Sequence, residues 1–346
     1  MKTRPLALTM GDPAGIGGEI LAMAFARAPE LLAGCFVAGD VAHLRRATQA
    51  AAAPGAPALP LAVIDDPAQA LDMPPRCMPV LQVGEASASL VRWGVVQAQA
   101  GRMAADAVTW AARAALRGEV AGLVTAPLHK EALAAAGVGF PGHTELLQAE
   151  AAAHAGRAVS QTPVRMMLAS DELRTVLVSI HVSLRSAIEA VTFDNVLETL
   201  RIAHEALGRA LGRAPRIAVA GLNPHAGEGG LFGREEIEVI APAIEAAKAL
   251  GIDALGPFAP DTVFMRARAS AGRSGEFDVV VAMYHDQGLI PVKYLGLDKG
   301  VNVTLGLPLV RASPDHGTAF DIAGTGRADP SSLIEAVRVA RRLSAA

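Results

Sequence analysis

Three histidines each follow a strand-like apolar run. RTVLVSI leads into His181, RIAVAGLNP into His225 and VVVAMY into His285. In an open α/β sheet the carboxyl ends of the strands are where ligands bind. Three neutral imidazoles meeting there can hold a divalent cation and leave coordination positions open for a substrate, which is the catalytic rather than the structural arrangement. Any one of them could instead cap its strand or bond a nearby carbonyl. Their shared context makes His181, His225 and His285 candidate metal ligands as a set.

The residues around them suit an anionic substrate. The segment YHDQGLIPVKYLGLDKGVNVTLGLPLVRASPDHG carries Lys293, Asn302 and Arg311 past His285, separated by glycines and prolines that favour close loops. Arg311 can take a carboxylate or phosphate bidentately, and Lys293 can act as a point charge or, beside a metal, as a base. Upstream, FPGHTELL sets His143 and Thr144 beside a Pro-Gly turn. Together these groups match what a small phosphorylated hydroxy acid requires. In HGTAFDIAGTGRADPSS the small residues Gly317, Thr318 and Ala319 allow backbone to lie against a flat ring, and Asp321 can accept hydrogen bonds from ribose hydroxyls. Asp329 followed by Pro330 reads as the cap and first position of a helix. The glycine turn GDPAGIGGE near the start fits neither the dinucleotide fingerprint nor a phosphate loop, and tight strand–helix packing is its expected role.

The elements that must position these groups alternate. PLALTM, VAGLVTA, RTVLVSIH, RIAVAGLNPH and FDVVVAMYH read as strands, with helical stretches such as residues 95–118 and 193–212 between them. Continuous apolar strands alternating with helices predict an α/β architecture with a buried, largely parallel sheet. A low-complexity stretch at 50–60 predicts a surface loop. At 346 residues the chain exceeds the usual single-core limit and two domains are expected.

A net charge of −3 gives no reason to expect nucleic acid or an anionic membrane as partner. The apolar runs are too short and too interrupted to span a bilayer, and no long apolar segment of a signal peptide opens the chain. Two cysteines outside any C-x-x-C suit a reducing cytoplasm.

The segments GDPAGIGGEI, FPGHTELL, SIHVSLR, NPHAGEGGLFGREE, GPFAPDTVF, YHDQGLIPVKYLG and GVNVTLGLPLVRASPDHGTAFDIAG, in that order from residue 11 to about 332, resemble the 4-hydroxythreonine-4-phosphate dehydrogenase family. The glycine turn and the HGTAFDIAG loop are also similar to those of isocitrate and isopropylmalate dehydrogenases. The resemblance implies a two-domain α/β fold of the isocitrate/isopropylmalate dehydrogenase type with an active-site cleft between the domains. It divides the chain into residues 1–135 plus 302–346 on the cofactor side, and 136–301 on the metal, substrate and dimer side.

By position, the resemblance implies that His181, His225 and His285 bind the metal, that His143, Thr144, Lys293, Asn302 and Arg311 bind substrate, and that Gly317, Thr318, Ala319 and Asp321 bind the cofactor. Lys293, with Asp286 or Asp261 nearby, is the candidate for taking the hydroxyl proton. The implied cofactors are NAD, with NADP as alternative, and one divalent ion per site, zinc before cobalt or magnesium. The implied reaction oxidises 4-phosphohydroxy-L-threonine at C3 and decarboxylates the product on the way to pyridoxal phosphate, in a cytoplasmic homodimer with shared sites. Two departures widen the substrate range: Gly18 stands where many relatives have proline, and TAPLHKEAL lacks the asparagine of the commoner TNP loop. Relatives with these features include enzymes of 4-phospho-D-threonate and D-erythronate 4-phosphate, and more distantly of aromatic cis-dihydrodiols.

Overall fold

A computed structural model describes residues 4–270, 272–296 and 300–345; residues 297–299, within the quoted segment joining Lys293 to Asn302, lie outside the described residues. The chain forms two compact units, Met1–Pro163 with Leu307–Ser344, and Val164–Gly306.

The first unit begins with β1 (Leu6–Thr9), α1 (Gly17–Arg27), β2 (Cys35–Gly39), α2 (Val41–Ala50), β3 (Leu61–Ile64), β4 (Met78–Gln82), α3 (Ala98–Leu116), β5 (Leu123–Thr125), α4 (Lys130–Ala135) and α5 (His143–His154). The second contains β6 (Arg165–Ala169), β7 (Arg174–Leu177), α6 (Leu184–Glu189), α7 (Phe193–Leu211), β8 (Ile217–Ala220), α8 (Ala241–Ala249), β9 (Ala254–Phe258), α9 (Val263–Ala267), β10 (Val279–Ala282), α10 (His285–Tyr294) and β11 (Val301–Leu305). The chain then returns to the first unit as β12 (Arg311–Pro314) and α11 (Ser331–Ser344). Residues 51–60 are a loop, as their composition predicts.

In the first unit the strands run β3-β4-β2-β1-β5-β12, with parallel pairing throughout. The second has the order β11-β6-β7-β10-β8-β9. There β6 is antiparallel to both neighbours, while β7, β10, β8 and β9 are parallel. Parallel pairs need helical crossovers, and a strand covered by helices on both faces is buried along its length, while the edge strands β3 and β9 stay partly exposed. Every residue of β1, β2, β8 and β10 is buried, which is why these strands read as unbroken apolar runs.

The abundance of alanine has a packing purpose. On α3, Ala100, Ala104, Ala107, Ala111 and Ala114 recur at helical spacing and are buried. At Gly101 a Cβ would lie 2.0 Å from the carbonyl oxygen of Ala132, so α3 and α4 meet backbone to backbone.

The units divide elsewhere than at the boundaries drawn from sequence. Residues 136–163 lie with the first unit because α5 packs on α3, buries Leu146, Leu147, Ala151 and Ala152, and is tied there by a bidentate Arg113–Glu150 pair at 2.8 and 3.0 Å. Residues 302–306 lie with the second because β11 is paired with β6 along its whole length. Among the described residues no helix is long and apolar enough to cross a membrane.

Candidate active site

In the second unit β7, β10 and β8 are parallel neighbours in near register, Ala282 level with Leu177 and Val281 with Val219. Their carboxyl ends therefore form one edge, and His181, His225 and His285 follow them within five residues. Side chains tie these strand ends together. Gln287 accepts from the Met283 N–H at 2.7 Å and donates to the Gly221 carbonyl at 2.8 Å, while Ser179 donates to the Met283 carbonyl at 3.1 Å.

The structure brings His181 and His285 together, with ring centroids 5.5 Å apart. A cavity of about 340 Å³ opens there, lined by Ser179, Ile180, His181, Tyr284, His285 and Asp286. Asp286 Oδ1 lies 2.7 Å from His285 Nδ1. With that nitrogen protonated, Nε2 carries the lone pair, as in carboxylate–histidine–metal arrangements. His181 and His225 have φ of 39° and 52°, a conformation that costs a non-glycine residue energy and gathers at functional sites. The His225 ring faces Phe232 at 6.5 Å. Among the described residues no three His, Cys, Asp or Glu side chains are close enough to hold a metal ion, so His225 does not join the other two within this chain.

The remaining candidates of this unit are spread out. Lys293 is eight residues beyond His285 on α10, about 12 Å along the helix axis. Asn302 pairs with Leu168 across β11 and β6. Asp261 is exposed in the turn between β9 and α9. The Asp286 carboxylate is engaged with His285.

The first unit gathers a second polar group. Arg311 is 4% exposed, and its Nε and Nη2 donate to Thr125 Oγ1 at 3.2 and 2.8 Å. Burial pulls its ionisation down to about 10, against the opposing charge of Glu145. His143, the first residue of α5, has its pKa held well below the usual histidine range by burial first and by the Arg311 charge second, while a hydrogen bond with the Ala126 backbone opposes both. Its Nε2 is buried with no hydrogen-bond partner among the described residues. Thr144 follows, and no side chain caps this end of α5 at Gly142, so the first-turn N–H groups add to the anion-favouring field.

Two ionisable residues here escaped the sequence reading. Asp12 is fully buried; its Oδ1 accepts from the Ala14 N–H at 2.8 Å, while Oδ2 is buried without a partner among the described residues. Burial raises its pKa, opposed by that N–H and by the charge of His129. His129 stacks on Phe320 at 4.6 Å, its Nδ1 also buried and unpartnered among the described residues. Both lie in motifs noticed for their glycines or for family resemblance, GDPAGIGGE and TAPLHKEAL, where the ionisable groups were the available signal.

The loop holding Gly317, Thr318, Ala319 and Asp321 rests on the glycine turn. The Thr318 carbonyl accepts from the Ile16 N–H at 3.0 Å, and a Cβ on Gly15 would come within 2.8 Å of that oxygen. Glu19, fully buried on α1, accepts from the N–H groups of Gly324 and Gly326 at 2.6 and 2.7 Å. Asp321 is exposed. The strand–helix packing expected of the glycine turn lies at Gly17, the first residue of α1, where a Cβ would come within 2.4 Å of the Met10 carbonyl oxygen just past β1.

The depressed pKa of His143 has a direct readout. The unfolded chain takes up a proton near the ordinary histidine value while the native state excludes it, so stability is whole above that value and declines as pH falls toward the native one. The melting temperature is expected to drop between about pH 7 and pH 5, and more shallowly in His143→Gln. Overlaying profiles for the two proteins would contradict the burial of a neutral imidazole.

The profile of the family described as Pyridoxal phosphate biosynthetic protein PdxA matches residues 32–340. The chain is 52% identical over 353 residues to the 4-hydroxythreonine-4-phosphate dehydrogenase of Beijerinckia indica, covering 99% of this chain and 96% of that one. It is 44% identical over 339 residues to the D-threonate 4-phosphate dehydrogenase of Pectobacterium atrosepticum, covering 98% and 99%. The crystal structure of 4-hydroxythreonine-4-phosphate dehydrogenase from Klebsiella pneumoniae matches it with a TM-score of 0.85 at 42% identity, covering 99% of this chain and 98% of that one. Matched nearly end to end in sequence and in backbone course, the chain belongs to the PdxA family of dehydrogenases.

Proposed function

We propose that the chain oxidises 4-phosphohydroxy-L-threonine at C3 with NAD, the resulting β-keto acid losing CO2 to leave 3-amino-2-oxopropyl phosphate. The observation that carries this reading is the buried Arg311 guanidinium beside a neutral His143 at the uncapped start of α5. A desolvated cation flanked by helix N–H groups is built for a phosphate, and Thr144 adds a hydroxyl donor. Lys293 and Asn302 serve the same substrate.

His181, His225 and His285 are the residues that hold a divalent ion, drawn from both subunits of a homodimer with shared sites. The paired rings of His181 and His285 and the carboxylate that fixes the His285 tautomer fit that role. Imidazole donors favour zinc over magnesium, with cobalt an alternative, and the ion when bound supplies Lewis-acid polarisation at the C3 oxygen.

The hydride acceptor lies on Gly317, Thr318, Ala319 and Asp321, and an exposed carboxylate at 321 favours the ribose hydroxyls of NAD over the extra phosphate of NADP. Lys293 takes the hydroxyl proton; Asp286 is committed to His285 and Asp261 is exposed beside the edge strand β9, which makes them weaker candidates. The working compartment is the cytoplasm.

A second reading, oxidation of D-threonate 4-phosphate or D-erythronate 4-phosphate, uses the same phosphate group and is favoured by the 44% identity to the Pectobacterium enzyme. A cis-dihydrodiol substrate would leave Arg311 without a phosphate to bind. The test is a panel of phospho-acids with NAD, read at the NADH absorbance band together with CO2 release. The expected result is the highest kcat/KM for 4-phosphohydroxy-L-threonine. A higher value for a D-acid moves the assignment to the second reading, and a panel without NADH formation removes both.

A further inference from the structure

The turn after β8 runs against the preference of an L-amino-acid backbone. His225, Ala226, Gly227, Glu228 and Gly229 have φ of 52°, 54°, 79°, 44° and 67°, five consecutive left-handed residues of which three carry side chains. Such conformations persist only where the surroundings over-determine them. Here the surroundings converge on one buried carboxylate.

Glu236 is 2% exposed and begins a π-helical turn, Glu236–Ile240, ahead of α8. Its Oε1 accepts from the backbone N–H groups of Leu222 and Asn223, both at 2.7 Å, and its Oε2 accepts from Asn223 Nδ2 at 2.9 Å. The same Nδ2 donates to Glu235 Oε2 at 2.7 Å. The carboxylate is wedged against two glycines: a Cβ on Gly221 would lie 3.0 Å from Oε1, and one on Gly227 2.8 Å from Oε2. The Phe232 N–H closes the turn on the Gly227 carbonyl at 3.1 Å.

We propose that Glu236 is the positioning residue for His225: its carboxylate holds the preceding backbone so that the chain must enter a left-handed turn, and the direction of the imidazole follows from that turn. The consequence for cation binding rests on the reading of His225 as a metal ligand. Loss of the brace lets the turn relax into ordinary backbone conformations and misaims a donor that Glu236 itself never touches.

The test uses the full-length protein with Glu236→Gln and Glu236→Asp. Glutamine has the same shape but turns a donor toward groups that are themselves donors. In metal-free protein, hydrogen exchange in peptides spanning residues 221–232 is expected to rise roughly tenfold or more, with β7 and β10 unchanged. In a cobalt(II) titration followed by visible absorption, affinity is expected to fall roughly 10- to 100-fold with an altered band pattern. Glu236→Asp, which keeps the charge on a shorter arm, should lie between, and it carries the test if the glutamine variant fails to fold.

Unchanged exchange in this segment overturns the proposal. So does faster exchange with cobalt affinity and spectrum intact. If the unaltered protein binds no cobalt while exchange still rises, the brace on the turn is supported and the metal reading of His225 fails.

Discussion

Arg311→Lys is expected to lower kcat/KM by roughly 10²- to 10³-fold, the cost of breaking a buried, hydrogen-bonded charge pair. Lysine keeps the charge but not the planar fork, which at this site already places two nitrogens on the Thr125 hydroxyl. In the proposed substrate the phosphate is an ester on C4, takes no part in the bond changes at C3, and keeps its charge during the oxidation. Ground state and transition state are therefore bound alike, and the loss should fall mainly on KM. Steady-state kinetics on folded variant decide this. A KM within a factor of about two of the unaltered enzyme would take the phosphate away from Arg311.

His285→Ala is expected to remove turnover to at least roughly 10³ below the starting level, with Asp286→Asn costing about 10- to 100-fold through the orientation of the same ring. The stability cost should be small, within about 1 kcal/mol, because the His285 side chain is 37% exposed at the start of α10. Measuring metal content, melting temperature and activity on the same preparations separates a lost ligand from a damaged fold. Normal turnover in the alanine variant would remove the metal from the reaction.

Much of this architecture is legible in the sequence, for a reason that also sets the limit. The strands that precede His181, His225 and His285 are buried on both faces, so each is written as an apolar run with its polar cargo just beyond. The helices α3 and α7 show their packing as periodicity. The placement of α5 is not legible, since its allegiance to α3 is a contact between segments far apart in the chain. Nor is the left-handed backbone at His181 and His225, because neither residue is a glycine. Glu236 and Glu19 present the same difficulty. In GREE and GGE they look like ordinary surface or first-turn charges, and their partners are backbone N–H groups that no residue pattern displays.

The position of β10 between β7 and β8 has a consequence during biosynthesis. A ribosome delivers both outer strands, with His181 and His225, before residues 279–285 exist, and until then the two strands lack the neighbour that fixes their separation. At about 5–20 residues per second the intervening stretch occupies several seconds, in which no strand stands between β7 and β8. The approach of His181 to His285 is therefore an event of the finished sheet, fixed by the order in which the strands are made.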